Sequence, residues 1–215
     1  MDDQNSKLER LSEVSEQLDE HLMNKTLKEL KHRPGTKFTL ISESYDIAFQ
    51  RDFLDAHNRI RAQYGSPLLS WCQQLADEAE SWAADLLNRG RIIYKDQQGL
   101  GENIAIMKIE SPRLLPTGEQ ISRLWAQEAN LYDFDNPSWT EECQNFTQLV
   151  WKATREVGCS RQWSPSQKRA VVVAFYRPAG NGNNTQSFKE NIPQRRYAGE
   201  TECSNHVENM HSSIR

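Results

Sequence analysis

A chain of 215 residues with 37% apolar and 26% charged side chains is long enough to bury one ordinary core and polar enough to carry tails outside it. Its 30 acidic and 26 basic residues are interleaved and leave a formal charge of −4, which argues against nucleic acid as a partner, since that requires a basic face. No run of about 18 apolar residues could span a bilayer, and no basic-then-apolar start marks a secretory leader.

Asp2 stands where N-myristoylation requires glycine. Residues 7–31 carry Leu8, Leu11, Leu18 and Leu22 at helical spacing, interrupted by Ser15, among Glu and Lys, and Pro34-Gly35 stops the pattern. This predicts an amphipathic helix inside an N-terminal extension, residues 1–44. Three uses are open to it: docking on its own domain, pairing with a second copy as a homodimer, or lying on a membrane. Acidic residues on its polar face make the last the weakest.

From Asp46 the pattern tightens. Phe49, Phe53, Ala56, Ile60 and Tyr64 trace one helical face, with His57 at its edge, as far as Gly65-Ser66-Pro67. A second helix is expected over residues 73–88, with Leu75, Ala79, Trp82, Ala83 and Leu86 as its stripe and Gly90 after its end. Residues 100–107 read as a buried strand with Glu102 near its start. Thr117 and Gln120 form a capping box for a third helix that places Ile121, Leu124, Trp125, Glu128 and Tyr132 on one side. In residues 142–151, Phe146, Leu149, Val150 and Ala153 mark a short helix. Its amides, Asn145 and Gln148, either line something or sit on the surface beside an ordinary core stripe. Residues 156–163 and 169–176 read as strands, the second β-branched and continuous as a central strand would be, and turn residues close it at 177–181. From about residue 194 the chain lacks apolar periodicity and is expected to be disordered.

Cys72, Cys143, Cys159 and Cys203 show no CxxC or finger spacing, so an intracellular chain would keep four reduced thiols. In a secreted chain Cys143 and Cys159 would be the first pair to suspect. The sequons at Asn24, Asn145 and Asn183 matter only in that second case.

His57, Glu102 and Glu128 lie on or beside apolar faces of three separate elements. Burying an unpaired carboxylate costs several kcal/mol, so each needs a partner or a raised pKa. Each could be satisfied separately, or all three could meet around one polar cleft.

Four motifs then point to a family. His57-Asn58-Arg59-Ile60-Arg61 resembles the H-N-x-x-R signature of the CAP superfamily of cysteine-rich secretory, antigen 5 and pathogenesis-related proteins. Gly101-Glu102-Asn103-Ile104 resembles its G-E-N-apolar signature. Asn145-Phe146-Thr147-Gln148-Leu149-Val150-Trp151 is similar to G-H-[FY]-T-Q-x-V-W once Gln144 is counted, and Tyr176-Arg177-Pro178-Ala179-Gly180-Asn181 to Y-x-P-x-G-N. The order is the family's, and the intracellular, Golgi-associated branch is the nearer likeness.

The resemblance implies an α+β fold, an α–β–α sandwich over residues 45–193, between the extension and a tail at 194–215. It also implies a cleft of two His and two Glu able to hold a divalent cation, here His57, Glu102 and Glu128. Asn145 stands at the second His and Gln144 at the preceding Gly. An amide is a poor zinc ligand, so the expectation is a degenerate site that needs no cofactor and holds at most a weakly bound divalent cation.

A hydrolase can be written with His57 as base and a metal-activated water, but no HExxH and no nucleophile elbow support it, and Cys143 reads as a packed thiol. Binding has a feature of its own. Tyr132, Phe134 and Trp139 sit on a loop marked by Asn136-Pro137 and resemble the caveolin-binding-type loop of sterol-binding relatives. The same rings could instead pin the loop to the core. The expectation is a non-enzymatic lipid- or sterol-binding or adaptor protein, intracellular and peripheral to Golgi or other membranes. The alternative is a secreted venom-allergen-like protein.

Overall fold

The computed structural model describes residues 37–195 apart from 96 and 183, with side chains from residue 46 onward. The helix expected at 7–31 and all but the first two residues of the expected tail lie outside the described residues. Four strands form one sheet: β1 (Ser70–Trp71), β2 (Gly101–Lys108), β3 (Glu156–Ser164) and β4 (Arg169–Arg177), in the order β1-β3-β4-β2. β1 runs parallel to β3, and the other neighbours are antiparallel.

β4 is buried along Ala170–Tyr176, as a central strand must be, and its alternation divides the core. Val171, Val173 and Phe175 face α2 (Gln73–Arg89), against Leu75, Ala79, Ala83 and Leu86. Val172, Ala174 and Tyr176 face the opposite layer, built from α1 (Lys37–Gln63), α3 (Gly118–Ala126) and α4 (Gln144–Val150). Helices thus cover both faces of the sheet, which is the α–β–α sandwich expected.

Several boundaries differ from the sequence reading. α1 begins at Lys37, so the expected domain boundary at 44/45 falls inside a continuous helix. The capping box at Thr117 and Gln120 forms with both bonds, at 3.2 and 2.9 Å, but α3 stops at Ala126 and continues as a 3₁₀ stretch, Gln127–Leu131. Within α3 the buried arc is Gly118, Ile121, Ser122 and Trp125, and Leu124 is 46% exposed, contrary to the expected stripe. α4 ends at Val150, and Ala153, expected on its buried face, is exposed. The pattern did not reveal β1 or the last described helix, α5 (Thr185–Asn191), capped by Asn184 and packed through Phe188.

Candidate functional site

The four motifs converge on α4. Its seven residues are too few to hold a helix in water, so its ends need outside partners. At the N-terminus Glu128 supplies them. Its Oε2 accepts the backbone N–H groups of Asn145 and Phe146, both at 2.9 Å, and its Oε1 accepts Asn145 Nδ2 at 2.7 Å. At the C-terminus the buried Arg61 guanidinium donates to the carbonyls of Leu149 (2.8 Å), Trp151 (3.0 Å), Thr154 (3.1 Å) and Pro67 (2.7 Å). Ser66 Oγ adds a bond to Val150 O at 2.6 Å. An anion at the start and a cation at the end match the sign of the helix dipole.

Mid-helix, Gln148 turns fully inward. Its Oε1 accepts the Gly180 N–H at 2.8 Å and its Nε2 donates to Thr154 Oγ1 at 3.2 Å. A Cβ on Gly101 would lie 2.0 Å from that Oε1, and one on Gly180 2.8 Å, so glycine in the second and fourth motifs makes room for the glutamine of the third. Thr147 Oγ1 donates to Asn181 Oδ1 at 2.7 Å, and Asn181 Nδ2 donates back to Gln144 O at 2.9 Å. Gln148 therefore lines a packed junction of three motifs.

His57 is fully buried and both ring nitrogens are engaged. Nδ1 lies 2.8 Å from Ser122 Oγ and 3.1 Å from Phe53 O, and Nε2 lies 2.8 Å from Tyr176 Oη. A carbonyl only accepts, and Ser122 spends its proton on Gly118 O at 2.8 Å, so Nδ1 carries the ring hydrogen and Nε2 accepts from Tyr176. Asn103 Nδ2 donates to Tyr176 Oη at 3.2 Å and to Asn145 O at 3.0 Å. One directional chain thus runs from Asn103 through Tyr176 and His57 to Ser122. Burial, then the positive charge of Arg61, pushes the His57 pKa down to about 3, so the imidazole is neutral at physiological pH. Arg61, pushed down to about 9 by burial, stays charged there.

This corrects the expected cleft. His57 does not open onto a hollow with Glu102 and Glu128. Glu102 pairs in register with Phe175 and shares the parity of Ile104 and Ile106, so it stands on the α2 face of β2, whereas Asn103 faces α4. Glu102 Oε2 accepts the Lys95 N–H at 2.7 Å, and the Lys95 ammonium lies 5.4 Å from the Trp82 ring centroid. Burial, only partly offset by the Lys95 N–H, lifts the Glu102 pKa to about 7. Burial also raises Glu128, against its three donors.

Of the predicted set, Glu128 and Asn145 meet directly, while Glu102 approaches from the other side of the β2 edge. Among the described residues no three His, Cys, Asp or Glu side chains group so as to hold a metal ion. The donor set agrees: Asn145 turns an N–H toward Glu128, and His57 has no free nitrogen. These residues do not fit the divalent cation that the resemblance implied.

Tyr94 is a cleft residue that the sequence reading missed. Its hydroxyl accepts Gln144 Nε2 at 2.7 Å, and its pKa is raised by burial and by the nearby charges of Glu102, Glu128 and Glu141. It lies on an irregular segment, where no periodicity could single it out.

In the 132–139 loop, Tyr132 is buried and its ring meets Phe134 at 5.0 Å and Phe146 at 5.8 Å, while Phe134 stacks on Tyr64 at 6.5 Å. Trp139 is 52% exposed and Leu131 69%. Cys72, Cys143 and Cys159 are free thiols, and Cys143 packs in the core with its Sγ 3.5 Å from Glu128 O.

The family model of the cysteine-rich secretory proteins, CAP, matches residues 54–176, more than half of the chain. The chain belongs to the CAP family. Human Golgi-associated plant pathogenesis-related protein 1 is 32% identical over 155 residues, 71% of this chain and 97% of its own length. Tobacco pathogenesis-related protein 1A is 33% identical over 134 residues, 61% and 76% of the two chains. The structure of venom allergen-like protein 4 of Schistosoma mansoni superposes with a TM-score of 0.50 at 23% identity, over 69% of this chain and 95% of that one, which speaks to the fold alone. The family match thus covers the first three motifs and reaches the tyrosine that opens the fourth.

Proposed function

We propose that this CAP protein acts by binding rather than by catalysis, as a lipid- or sterol-binding or adaptor protein peripheral to intracellular membranes, with the 132–139 loop as its contact surface. The observation that carries the reading is the division of labour in that loop. Tyr132 and Phe134 are held by Tyr64 and Phe146, while Trp139 and Leu131 stand exposed at its two ends. A loop fixed from beneath presents its outer apolar side chains at little cost in ordering. The likeness to a Golgi-associated relative supports the location.

Against catalysis, the only histidine of the motifs is neutral, buried and committed at both nitrogens, which leaves no accessible imidazole base at the cleft. The test is titration with cholesterol sulfate and with a fluorescent sterol. Low-micromolar binding that Trp139→Ala abolishes is the expected result. Binding unchanged by that substitution, or none to either probe, removes the loop from the function. Homodimer formation through residues 7–31 belongs to the same reading. It predicts that the full chain sediments as a dimer and that a chain starting at residue 37, where α1 begins, sediments as a monomer.

A further inference from the structure

Glu128 is the one acidic side chain of the predicted cleft that touches another member of the predicted set. Every contact it makes is to a donor at the start of α4: two backbone N–H groups and the Asn145 amide. A carboxylate offers about four lone-pair directions, and three are filled here. What remains nearby is sparse. Among the described residues, Asn103 Oδ1, Asn145 Oδ1 and Glu102 Oε1 are buried without a hydrogen-bond partner, and Glu102 stands on the α2 side of β2. Taken together, two amide oxygens, the Glu102 oxygen and one Glu128 lone pair fall short of the six or more oxygens that calcium takes, and of the nitrogen or sulfur donors zinc prefers.

We propose that Glu128 is the N-terminal cap of α4, supplied from a different element, and that this commitment replaces divalent-cation binding: the cleft folds and keeps its shape with no ion. Arg61 performs the complementary task at the other end, on the carbonyls of Leu149 and Trp151. A seven-residue helix that carries the junction of the motifs is thus clamped by two opposite charges from outside it. Asn145 is the specificity-determining position. An amide there donates to Glu128, so the carboxylate is satisfied within the protein, whereas an imidazole nitrogen offered as a ligand would leave it open to a cation. The inference does not rest on the lipid reading, and its tests contain no lipid.

The tests use the full chain, first stripped with EDTA. Calorimetric titration with zinc, calcium and magnesium chlorides should give no saturable heat, and 1 mM of each should shift the Tm by less than about 1 °C. Glu128→Ala should lower the Tm by about 5 °C whether or not ions are present, since it leaves three N–H groups unpaired at a helix start. Where that variant does not fold, hydrogen exchange on the wild type decides. Amides of Asn145 and Phe146 protected in the ion-free protein support the cap; amides that exchange freely until an ion is added overturn it. Saturable micromolar binding of any of the three ions that Asn145→Ala or Glu128→Gln removes overturns it equally.

Discussion

The α4 junction and the 132–139 loop lie next to one another and use their side chains in opposite ways. At α4 the polar groups of the motifs turn inward: Asn58, Arg61, Asn103, Thr147 and Gln148 are all buried, each with a hydrogen bond. At the two ends of the loop apolar groups turn outward, with Trp139 and the preceding Leu131 exposed. A buried polar group costs free energy unless every partner is in place, so the junction specifies one arrangement and tolerates little change. An exposed indole costs the fold almost nothing and remains free for a ligand. The motif residues thus build the frame, and the proposed recognition falls to residues outside all four motifs.

Substitutions at the two regions should separate stability from binding. Arg61→Ala should do the most damage, about 5 kcal/mol or outright failure to fold, because it removes the donor from four carbonyls at once, three of them in buried hydrogen bonds. Denaturant unfolding measures it, and Arg61→Lys should rescue little, since an ammonium cannot reproduce the fork.

Acid gives the next effect. With the His57 pKa at about 3 in the fold and near 6.5 unfolded, the unfolded chain binds the extra proton between those values. Stability should therefore fall as pH drops through that window, by about 5 kcal/mol in all. In His57→Gln, which has no titrating ring, this component of the pH profile should vanish. An unchanged acid profile would mean that the ring is not held neutral.

Tyr176→Phe keeps the ring and removes the hydroxyl between His57 and Asn103, at a cost of about 2 kcal/mol. The same variant should shift the His57 imidazole nitrogen resonances, which a simple packing defect would not do.

Glu102 works in the other direction. Its pKa is raised to about 7, so between the usual 4.5 and that value the folded chain binds the extra proton and stability should decline as pH rises. Glu102→Gln should remove the decline and be at least as stable as wild type above pH 7, as thermal melts across the range would show. Trp139→Ala should be the mildest, within about 0.5 kcal/mol of wild type in stability, while removing sterol binding. A large loss of stability there would erase the contrast between the two regions.

Much of this was legible in the residue order. The β-branched run at 170–176 announced a central strand, the Thr117–Gln120 pair a helix start, and Gly90, with φ of 70°, a helix end. Each is a local rule, written by neighbours in the chain. That Asn145 stands where the family signature has a histidine was legible for the same reason, since it concerns a single residue. The two-residue β1 and the 3₁₀ change after Ala126 were not, because neither has a period long enough to register.

The amino-acid sequence alone determined which residues are present, where helices and strands begin, and which family the chain resembles. Only the tertiary structure decided which way the polar residues face. Period 2 in β2 sends Glu102 and Asn103 to opposite sides of the sheet, and α1 carries His57 to Tyr176 rather than to either carboxylate. Partners such as Glu128 and Phe146, or Arg61 and Trp151, lie 18 and 90 positions apart, and no local pattern encodes such a pairing. The polar members of the motifs meet around a helix because the fold places backbone and amide donors at the Glu128 carboxylate and the Arg61 guanidinium at the helix-end carbonyls.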